Sequence, residues 1–197
     1  QQRALGHGPQ VLGSIIVRFC HPVVQSPVGM GLHHTGDFLF APQPVRFLNL
    51  GGGFGIPYFP GEKRLDLDPI GDNLAQLGAQ ARADFPEASL VIELGRYLVG
   101  EAGVYVARIV DRKVSRGQIY LVCDGGLHHH LAASGNFGQV VRKNYPATIG
   151  NKIDSPLTET ASLVGPLCTP LDLLADRMTL PVAHIGDLAV VFQSGAY

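Results

Sequence analysis

The sequence predicts an α/β region followed by a mostly β domain. In the first half of the chain, two short apolar segments flank a segment with helical spacing, which is the strand–helix–strand order of a parallel sheet. In the second half, apolar segments recur between turns rich in Gly, Pro and Asn, as expected for consecutive strands. We therefore assign residues 1–102 to an incomplete α/β region and residues 103–197 to a β-rich C-terminal domain.

The α/β region is predicted to contain two strands around one helix. VRFLNL (45–50) and SLVIEL (89–94) are the short, nearly all-apolar strands. Between them, residues 69–83 carry apolar side chains near helical spacing, and Pro69 suits the first turn of a helix. VLGSIIVRF (11–19) is interpreted as a further strand, within an N-terminal stretch that otherwise shows no clear period.

The β-rich domain is predicted to consist of strands joined by short turns. The predicted strands are GVYVARIVDRKV (103–114), QIYLVCDGG (118–126), TASLVGPLC (160–168) and LAVVFQSGAY (188–197). The 25 glycines and 14 prolines of the 197-residue chain supply the turns.

The composition indicates a folded protein without a nucleic-acid or membrane partner. Hydrophobic residues make up 46% of the chain and charged residues 16%, which argues against disorder. The formal net charge of -1 offers no attraction for nucleic acid or an anionic membrane, and no apolar run approaches the roughly 18 residues of a membrane span. The N-terminal residues lack the pattern of a signal peptide. Cys20, Cys123 and Cys168 are odd in number and without CxxC spacing, so we expect a cytoplasmic protein.

The first candidate site is the glycine-rich segment GGGFG (51–55), directly after the first strand. Successive glycines let backbone N–H groups approach an anion without interference from Cβ atoms, which favours a phosphate site. The segment is neither a Walker A loop nor the GxGxxG dinucleotide motif. A tight turn at the strand exit is the alternative interpretation.

Glu93 and Arg96, in IELGR, are the second candidate site, because functional residues of α/β sheets lie at the carboxyl ends of strands. The Arg96 guanidinium suits a phosphate or a carboxylate. The Glu93 carboxylate can accept a hydrogen bond from a protonated ring nitrogen. A surface ion pair between the two is the alternative.

Cys168 is the third candidate, in the Pro- and Gly-rich segment GPLCTPLD (165–172), with Asp172 near enough to share its site. A free cysteine is usually a small buried hydrophobe, but this segment favours exposure of the thiol. The consecutive His128, His129 and His130 predict a polar loop or interface rather than a metal site, because adjacent residues of a strand point to opposite faces. The sequence contains no GxSxG motif, which argues against a hydrolase with a catalytic triad.

Four motifs in this order resemble one known family. LNLGGGFG, ELGRYLVGEAG, GPLCTPLD and FQSGAY are similar to those of the fold-type III pyridoxal-phosphate decarboxylases, which include the diaminopimelate, ornithine and arginine decarboxylases. GGGFGIPYFPGEKRLDL and DGGLHHHLAASGNFGQ look like the branch associated with exosortase A and exopolysaccharide loci. The resemblance covers roughly residues 45–197. It implies part of an alanine-racemase-like (β/α)8 barrel before the β-rich domain, and decarboxylation of an amino acid.

The resemblance implies a pyridoxal 5'-phosphate site. Glu93 would pair with the pyridine nitrogen and keep it protonated, so that the ring withdraws electrons. Arg96 would lie near the phosphate or the substrate carboxylate, and Tyr197 would touch the phosphate. The backbone N–H groups of the loop would hold that phosphate, at Gly51, Gly52 and Gly53.

The resemblance also implies how the reaction ends and how the subunits assemble. Cys168 would protonate the carbanion left when carbon dioxide departs, and the partner subunit would supply this loop in a head-to-tail homodimer. In the family's diamino-acid enzymes an acidic residue follows the cysteine and reads the distal group of the substrate. Thr169 stands there in this chain and offers no counter-ion to a distal ammonium, although Asp172 can still contribute.

Two further family features correspond less well. The segment Gly31–Asp37 is similar to the family's G-L-H-x-H-x-G-S sequence but one residue shorter. By this resemblance His34 or His33 would stack on the cofactor ring. The alternative, to which we give equal weight, is a loop that is similar in sequence only. No lysine lies in the context of the Schiff-base lysine of the first barrel strand; the lysines are Lys63, Lys113, Lys143 and Lys152. A complete barrel needs about 250 residues. We therefore expect a fragment, or a sequence that lacks segments.

Two other functions remain open at this point. A non-catalytic member or fragment that binds pyridoxal phosphate without turnover is consistent with the missing lysine. An amino-acid racemase of the same fold is the other alternative, against which the GPLCTPLD segment favours decarboxylation.

Overall fold

The computed structural model describes residues 45–59, 61–135 and 142–196. The described residues form two compact units. One holds residues 45–53 and Asp66–Leu94, and the other holds the described residues of 54–65 and those from Gly95 onward. Within the described part, no helix is both long and apolar enough to cross a bilayer. The strand predicted at 11–19 lies outside the described residues.

The first unit contains a strand, a helix and a second strand. β1 (Phe47–Asn49) and β2 (Ser89–Val91) pair in parallel, with α1 (Asp68–Asp84) between them in sequence. Pro69 lies in the first turn of α1, where the missing N–H costs nothing, and α1 buries Leu77, Gly78 and Ala81. The predicted strand–helix–strand order is confirmed, although both paired segments are shorter than predicted.

The second unit contains a short helix and a six-stranded sheet. The helix is α2 (Gly95–Val99), followed by a single 3-10 turn at Gly100–Ala102. The strands are β3 (Tyr105–Ser115), β4 (Gln118–Cys123), β5 (Ala147–Ile149), β6 (Thr158–Val164), β7 (Leu173–Pro181) and β8 (Leu188–Val191), in the order β5-β8-β3-β4-β6-β7. Arg116 and Gly117 both have positive φ in the two-residue turn between β3 and β4, as the twist of a tight hairpin requires.

One pairing in this sheet decides where the loops meet. β4 and β6 are parallel neighbours, whereas the other pairs are antiparallel. The carboxyl ends of parallel neighbours lie at the same edge. The segments that follow them, 124–130 and 165–172, therefore leave the sheet side by side.

The predicted strands of the β domain are present, but two strands were not predicted. β5 has only three residues. β7 contains Arg177 at a φ of 43° beside a shift in the β6–β7 register, so its apolar pattern is interrupted. β8 ends at Val191 rather than continuing to Tyr197, because Gln193 turns the chain at a φ of 57°.

The core of the second unit is apolar and lies against the sheet. Its largest fully buried side chains include Ile109, Leu121, Ile149, Leu163 and Leu180. Each contributes roughly 1.5–3 kcal/mol by leaving water. The segments 124–130 and 165–172 extend from this sheet.

Candidate active site

The glycine-rich loop follows β1, and the structure requires glycine at each of its first three positions. Gly51 has a φ of 77° and Gly53 a φ of 100°, which side-chain-bearing residues rarely adopt. Gly52 has ordinary φ but no space, because an added Cβ would overlap the backbone carbonyl oxygen of Glu93. The loop thus presents bare backbone, the surface that a phosphate cradle needs.

Glu93 lies just beyond β2, beside this loop. Its N–H donates to the carbonyl oxygen of Gly51 over 2.7 Å, which extends the parallel pairing past the strand ends. Asn49, the last residue of β1, donates from Nδ2 to Glu93 Oε1 over 2.7 Å and accepts the Gly51 N–H at its Oδ1 over 2.8 Å. The structure thus brings together the glycine loop and Glu93, which the sequence analysis named as two separate candidate sites.

Asn49 is a site residue that the sequence analysis missed. It joins the glycine loop to the Glu93 carboxylate with one side chain. The available signal was its position, since a polar residue ends an otherwise apolar strand directly before the glycines. Only the β1–β2 register shows that this amide faces Glu93.

Arg96 lies in α2 of the second unit and packs over an aromatic ring. Its guanidinium carbon is 5.7 Å from the centroid of Tyr58, which is buried. The Tyr58 ring in turn lies 4.8 Å from that of Tyr145. This stack restricts the Arg96 side chain, so its charge is held rather than free to move through solvent.

Cys168 lies in an exposed loop, here named the Cys168 loop (residues 165–171). Its thiol is free and exposed, as the sequence predicts. Cys123, the other cysteine of the described residues, is buried, and burial raises the pKa of its thiol to about 12. Of these two thiols, only that of Cys168 can meet a substrate. Cys20 lies outside the described residues.

Asp172 lies at the end of this loop but is only 3% exposed. Its carboxylate oxygens accept backbone N–H groups from Leu127 over 2.6 Å and from Leu167 over 2.8 Å. One of these donors, Leu167, directly precedes Cys168 in the chain. These contacts favour a role in shaping the loop over contact with a substrate, and the predicted catalytic role stays a prediction.

The three consecutive histidines lie in a turn, and only His130 is buried. Its Nδ1 accepts the N–H of Ala133 over 3.1 Å and its Nε2 lies 2.8 Å from Ser194 Oγ, which assigns the proton to Nε2. Burial lowers the pKa of His130, so the ring is held neutral. No group of three or more His, Cys, Asp or Glu side chains in the described ranges could hold a metal ion.

Two of the predicted cofactor contacts, His34 and Tyr197, lie outside the described residues.

Two of the four lysines form ion pairs. Lys152 pairs with Asp187 over 2.6 Å, and Lys143 pairs with Glu62 over 3.6 Å.

The sequence matches the family described as pyridoxal-dependent decarboxylase, C-terminal sheet domain, over residues 23–195. The chain belongs to the pyridoxal-dependent decarboxylases. The match confirms the predicted family at the level of fold-type III decarboxylases, and it leaves the exosortase-associated branch as a prediction.

Curated relatives of this chain are named as decarboxylases. An L-glutamyl-[BtrI acyl-carrier protein] decarboxylase of Niallia circulans is 44% identical over 154 residues, which are 76% of this chain and 36% of the relative. A diaminopimelate decarboxylase of Bacillus subtilis is 32% identical over 198 residues, 88% of this chain and 43% of the relative. The chain spans about a third of the length of the first of these relatives.

Solved decarboxylase structures share the fold. A lysine/ornithine decarboxylase from Vibrio vulnificus, complexed with cadaverine, has a TM-score of 0.59 and 26% identity and matches 78% of this chain and 38% of its own. A diaminopimelate decarboxylase from Helicobacter pylori, complexed with L-lysine, has a TM-score of 0.59 and 24% identity, and the match covers 78% of this chain and 35% of the solved chain. The described residues hold the mostly β domain and one strand–helix–strand unit, and not a complete barrel.

The glycine loop and Glu93 of the first unit fit pyridoxal phosphate. The Gly51 N–H already donates to Asn49 Oδ1, so the N–H groups that the loop can offer to an anion are those of Gly52 and Gly53, which carry no side chain. An added Cβ at Gly52 would meet the backbone carbonyl oxygen of Glu93. The Glu93 carboxylate, oriented by Asn49, is the kind of partner that a pyridinium nitrogen needs.

Proposed function

We propose that the full-length protein containing this chain removes the α-carboxylate of an amino acid as carbon dioxide, with pyridoxal phosphate as cofactor. The observation that carries the proposal is the Gly51–Gly53 cradle joined through Asn49 to the Glu93 carboxylate. Membership of the pyridoxal-dependent decarboxylases supports it. When bound, the cofactor supplies an electron-withdrawing ring that accepts the electron pair of the broken bond.

In this proposal the residues of the chain divide the work. The N–H groups of Gly52 and Gly53 would hold the phosphate, since that of Gly51 is bonded to Asn49, and the Glu93 carboxylate would keep the proton on the ring nitrogen. Arg96, restricted by Tyr58, offers its guanidinium to an anionic group of the cofactor or substrate. Cys168 donates its Sγ proton to the α-carbon after carbon dioxide has left.

We further propose that the substrate lacks a distal ammonium group. Thr169, the residue after Cys168, is half-buried and its hydroxyl accepts the N–H of Leu171 over 3.3 Å. A neutral hydroxyl used in this way offers no counter-ion. The relative from Niallia circulans is named for a glutamyl group on an acyl-carrier protein, and a glutamyl side chain has no amine. The exosortase-associated branch, the homodimer with a shared site and the cytoplasmic location belong to this proposal as predictions of the resemblance and the composition.

The first experiment is reduction of the full-length protein with borohydride in the presence of pyridoxal phosphate, followed by peptide mapping. A single adduct on one lysine, together with carbon dioxide release from an amino acid, is the expected result. Cofactor binding without an adduct would instead support a non-catalytic pyridoxal-phosphate-binding protein. Exchange of the α-hydrogen without carbon dioxide release would support a racemase.

A second experiment tests the substrate class. Carbon dioxide release is compared between diaminopimelate, ornithine and lysine on one side and glutamyl thioesters and amides on the other. We expect the glutamyl compounds to have the higher kcat/KM, and Thr169→Glu to raise the kcat/KM of the diamino acids. A preference of the unmodified protein for a diamino acid would refute this assignment.

A further inference from the structure

Asp172 connects two loops of the second unit at the edge where β4 and β6 end. We propose that it is a positioning residue, whose buried carboxylate holds the Cys168 loop against the turn at residues 125–127 and so presents the Cys168 thiol in one orientation. The consequence for turnover rests on the proposed function, whereas the consequence for the loop does not.

The carboxylate of Asp172 is used on both sides. Oδ1 accepts the N–H of Leu127 over 2.6 Å, and Oδ2 accepts the N–H of Leu167 over 2.8 Å. Leu167 directly precedes Cys168 in the chain. Hydrogen bonds to a charged acceptor are the strong ones, so each N–H is held more firmly than in an ordinary turn.

The backbone of the Cys168 loop also closes on Asp172. The Gly165 N–H donates to the carbonyl oxygen of Asp172 over 3.0 Å, and the Asp172 N–H donates to that of Thr169 over 3.2 Å. The first residue of the loop and Thr169, the residue after Cys168, are thus both hydrogen-bonded to Asp172. The Cys168 thiol remains exposed, which is the combination expected of a held but accessible proton donor.

Gly126 and Gly165 pack so closely against this carboxylate that neither position has space for a side chain. An added Cβ would lie 2.9 Å from Asp172 Cγ at Gly126 and 2.5 Å from it at Gly165. Neither glycine has the positive φ that would explain its presence by backbone conformation. At Gly165 the close approach of the Asp172 side chain explains the glycine, and at Gly126 the Asp172 side chain and the Gly165 backbone explain it together.

The parallel pairing of β4 and β6 explains why a connector is needed. It places the two loops side by side, but the ladder between the strands ends at Val122 and Val164. Beyond that point the hydrogen bonds from Leu127 and Leu167 to one carboxylate tie the loops together. Loss of this carboxylate leaves the Cys168 loop free to shift, and a shift of about 1 Å in a reacting group can cost on the order of 10²-fold in rate.

The test is Asp172→Asn in the full-length protein. The asparagine amide offers one acceptor oxygen and turns an NH2 group toward the other backbone N–H, so one of the two contacts becomes a clash of donors. We expect amide hydrogen exchange at Leu127 and Leu167 to accelerate by at least about tenfold, and kcat to fall on the order of 10²-fold. The dissociation constant of pyridoxal phosphate should stay within twofold of wild type. Asp154→Asn, at an exposed turn residue, is the matched control and should change none of these.

A second variant covers the case in which Asp172→Asn does not fold. Gly165→Ala displaces the carboxylate without removing it, because the three atoms nearest to its added Cβ all belong to the Asp172 side chain. It should accelerate the same two amides and lower kcat by a smaller factor. Unchanged exchange at Leu127 and Leu167, or a kcat within twofold of wild type despite faster exchange, overturns the proposal. If the wild-type protein releases no carbon dioxide from any amino acid, the proposed function fails, and the exchange data alone still decide whether Asp172 holds the loop.

Discussion

Gly52→Ala is the sharpest test of the cofactor cradle. The alanine Cβ would overlap the carbonyl oxygen of Glu93, which is backbone and cannot rotate away as a side chain can. Cβ contacts shorter than 3.0 Å are essentially never seen, so either the loop or the β2 end must move. Such a movement also disturbs the 2.7 Å hydrogen bond from the Glu93 N–H to the Gly51 carbonyl.

The magnitude follows from the cost of overpacking. Forcing a methyl group into a filled site costs about 1–3 kcal/mol. If the cofactor-bound loop bears this cost, the dissociation constant of pyridoxal phosphate rises roughly 5- to 150-fold, because about 1.4 kcal/mol corresponds to a factor of ten. The assay is an absorbance titration of the full-length protein with pyridoxal phosphate, alongside a thermal melt that checks the fold.

Gly55→Ala is the matched control in the same segment. Its added Cβ meets nothing within 4 Å and its φ is not positive, so cofactor affinity should stay within twofold of wild type. The reasoning is refuted if Gly52→Ala binds the cofactor as tightly as Gly55→Ala does. Equal weakening in both variants would also refute it, since only one of the two positions is sterically closed.

Three further predictions concern the thiol, the acid stability and the core. Cys168→Ala should lower kcat at least about tenfold while the cofactor dissociation constant stays within twofold; an equal loss of both contradicts its role as proton donor. Burial alone would raise the pKa of Asp187, but hydrogen bonds, chiefly from Lys152, lower it from 3.8 to about 2. Its contribution to stability is therefore complete above about pH 4 and lost as the pH falls toward 2, and urea unfolding of Asp187→Asn should show a flatter pH dependence in that window. Leu121→Ala, at a fully buried side chain, should cost about 2–5 kcal/mol in urea unfolding, whereas Leu157→Ala, 69% exposed, should cost no more than about 0.5 kcal/mol.

Local patterns predicted the elements whose stability depends on neighbouring residues in sequence. The helical spacing before Asp84 predicted α1, because i and i+4 side chains share a face wherever that helix packs. β7 was not predicted, since the bulge at Arg177 breaks the period of two and its pairing with β6 supplies the missing stability. β5 was not predicted because three residues carry too little pattern to distinguish a strand from a turn.

The sequence by itself determined the residue types of the site and their order: three glycines after a strand, a glutamate after the next, and a cysteine in a proline-rich loop. Only the tertiary structure decided how they are held. The β1–β2 register brings Asn49 to Glu93 across 44 residues of sequence, and the parallel pairing of β4 with β6 brings Leu127 to Asp172 across 45. Such contacts depend on strand pairing between distant segments, which no local pattern encodes. They convert a set of suitable side chains into fixed geometry, and fixed geometry is what a proton donor and a phosphate cradle require.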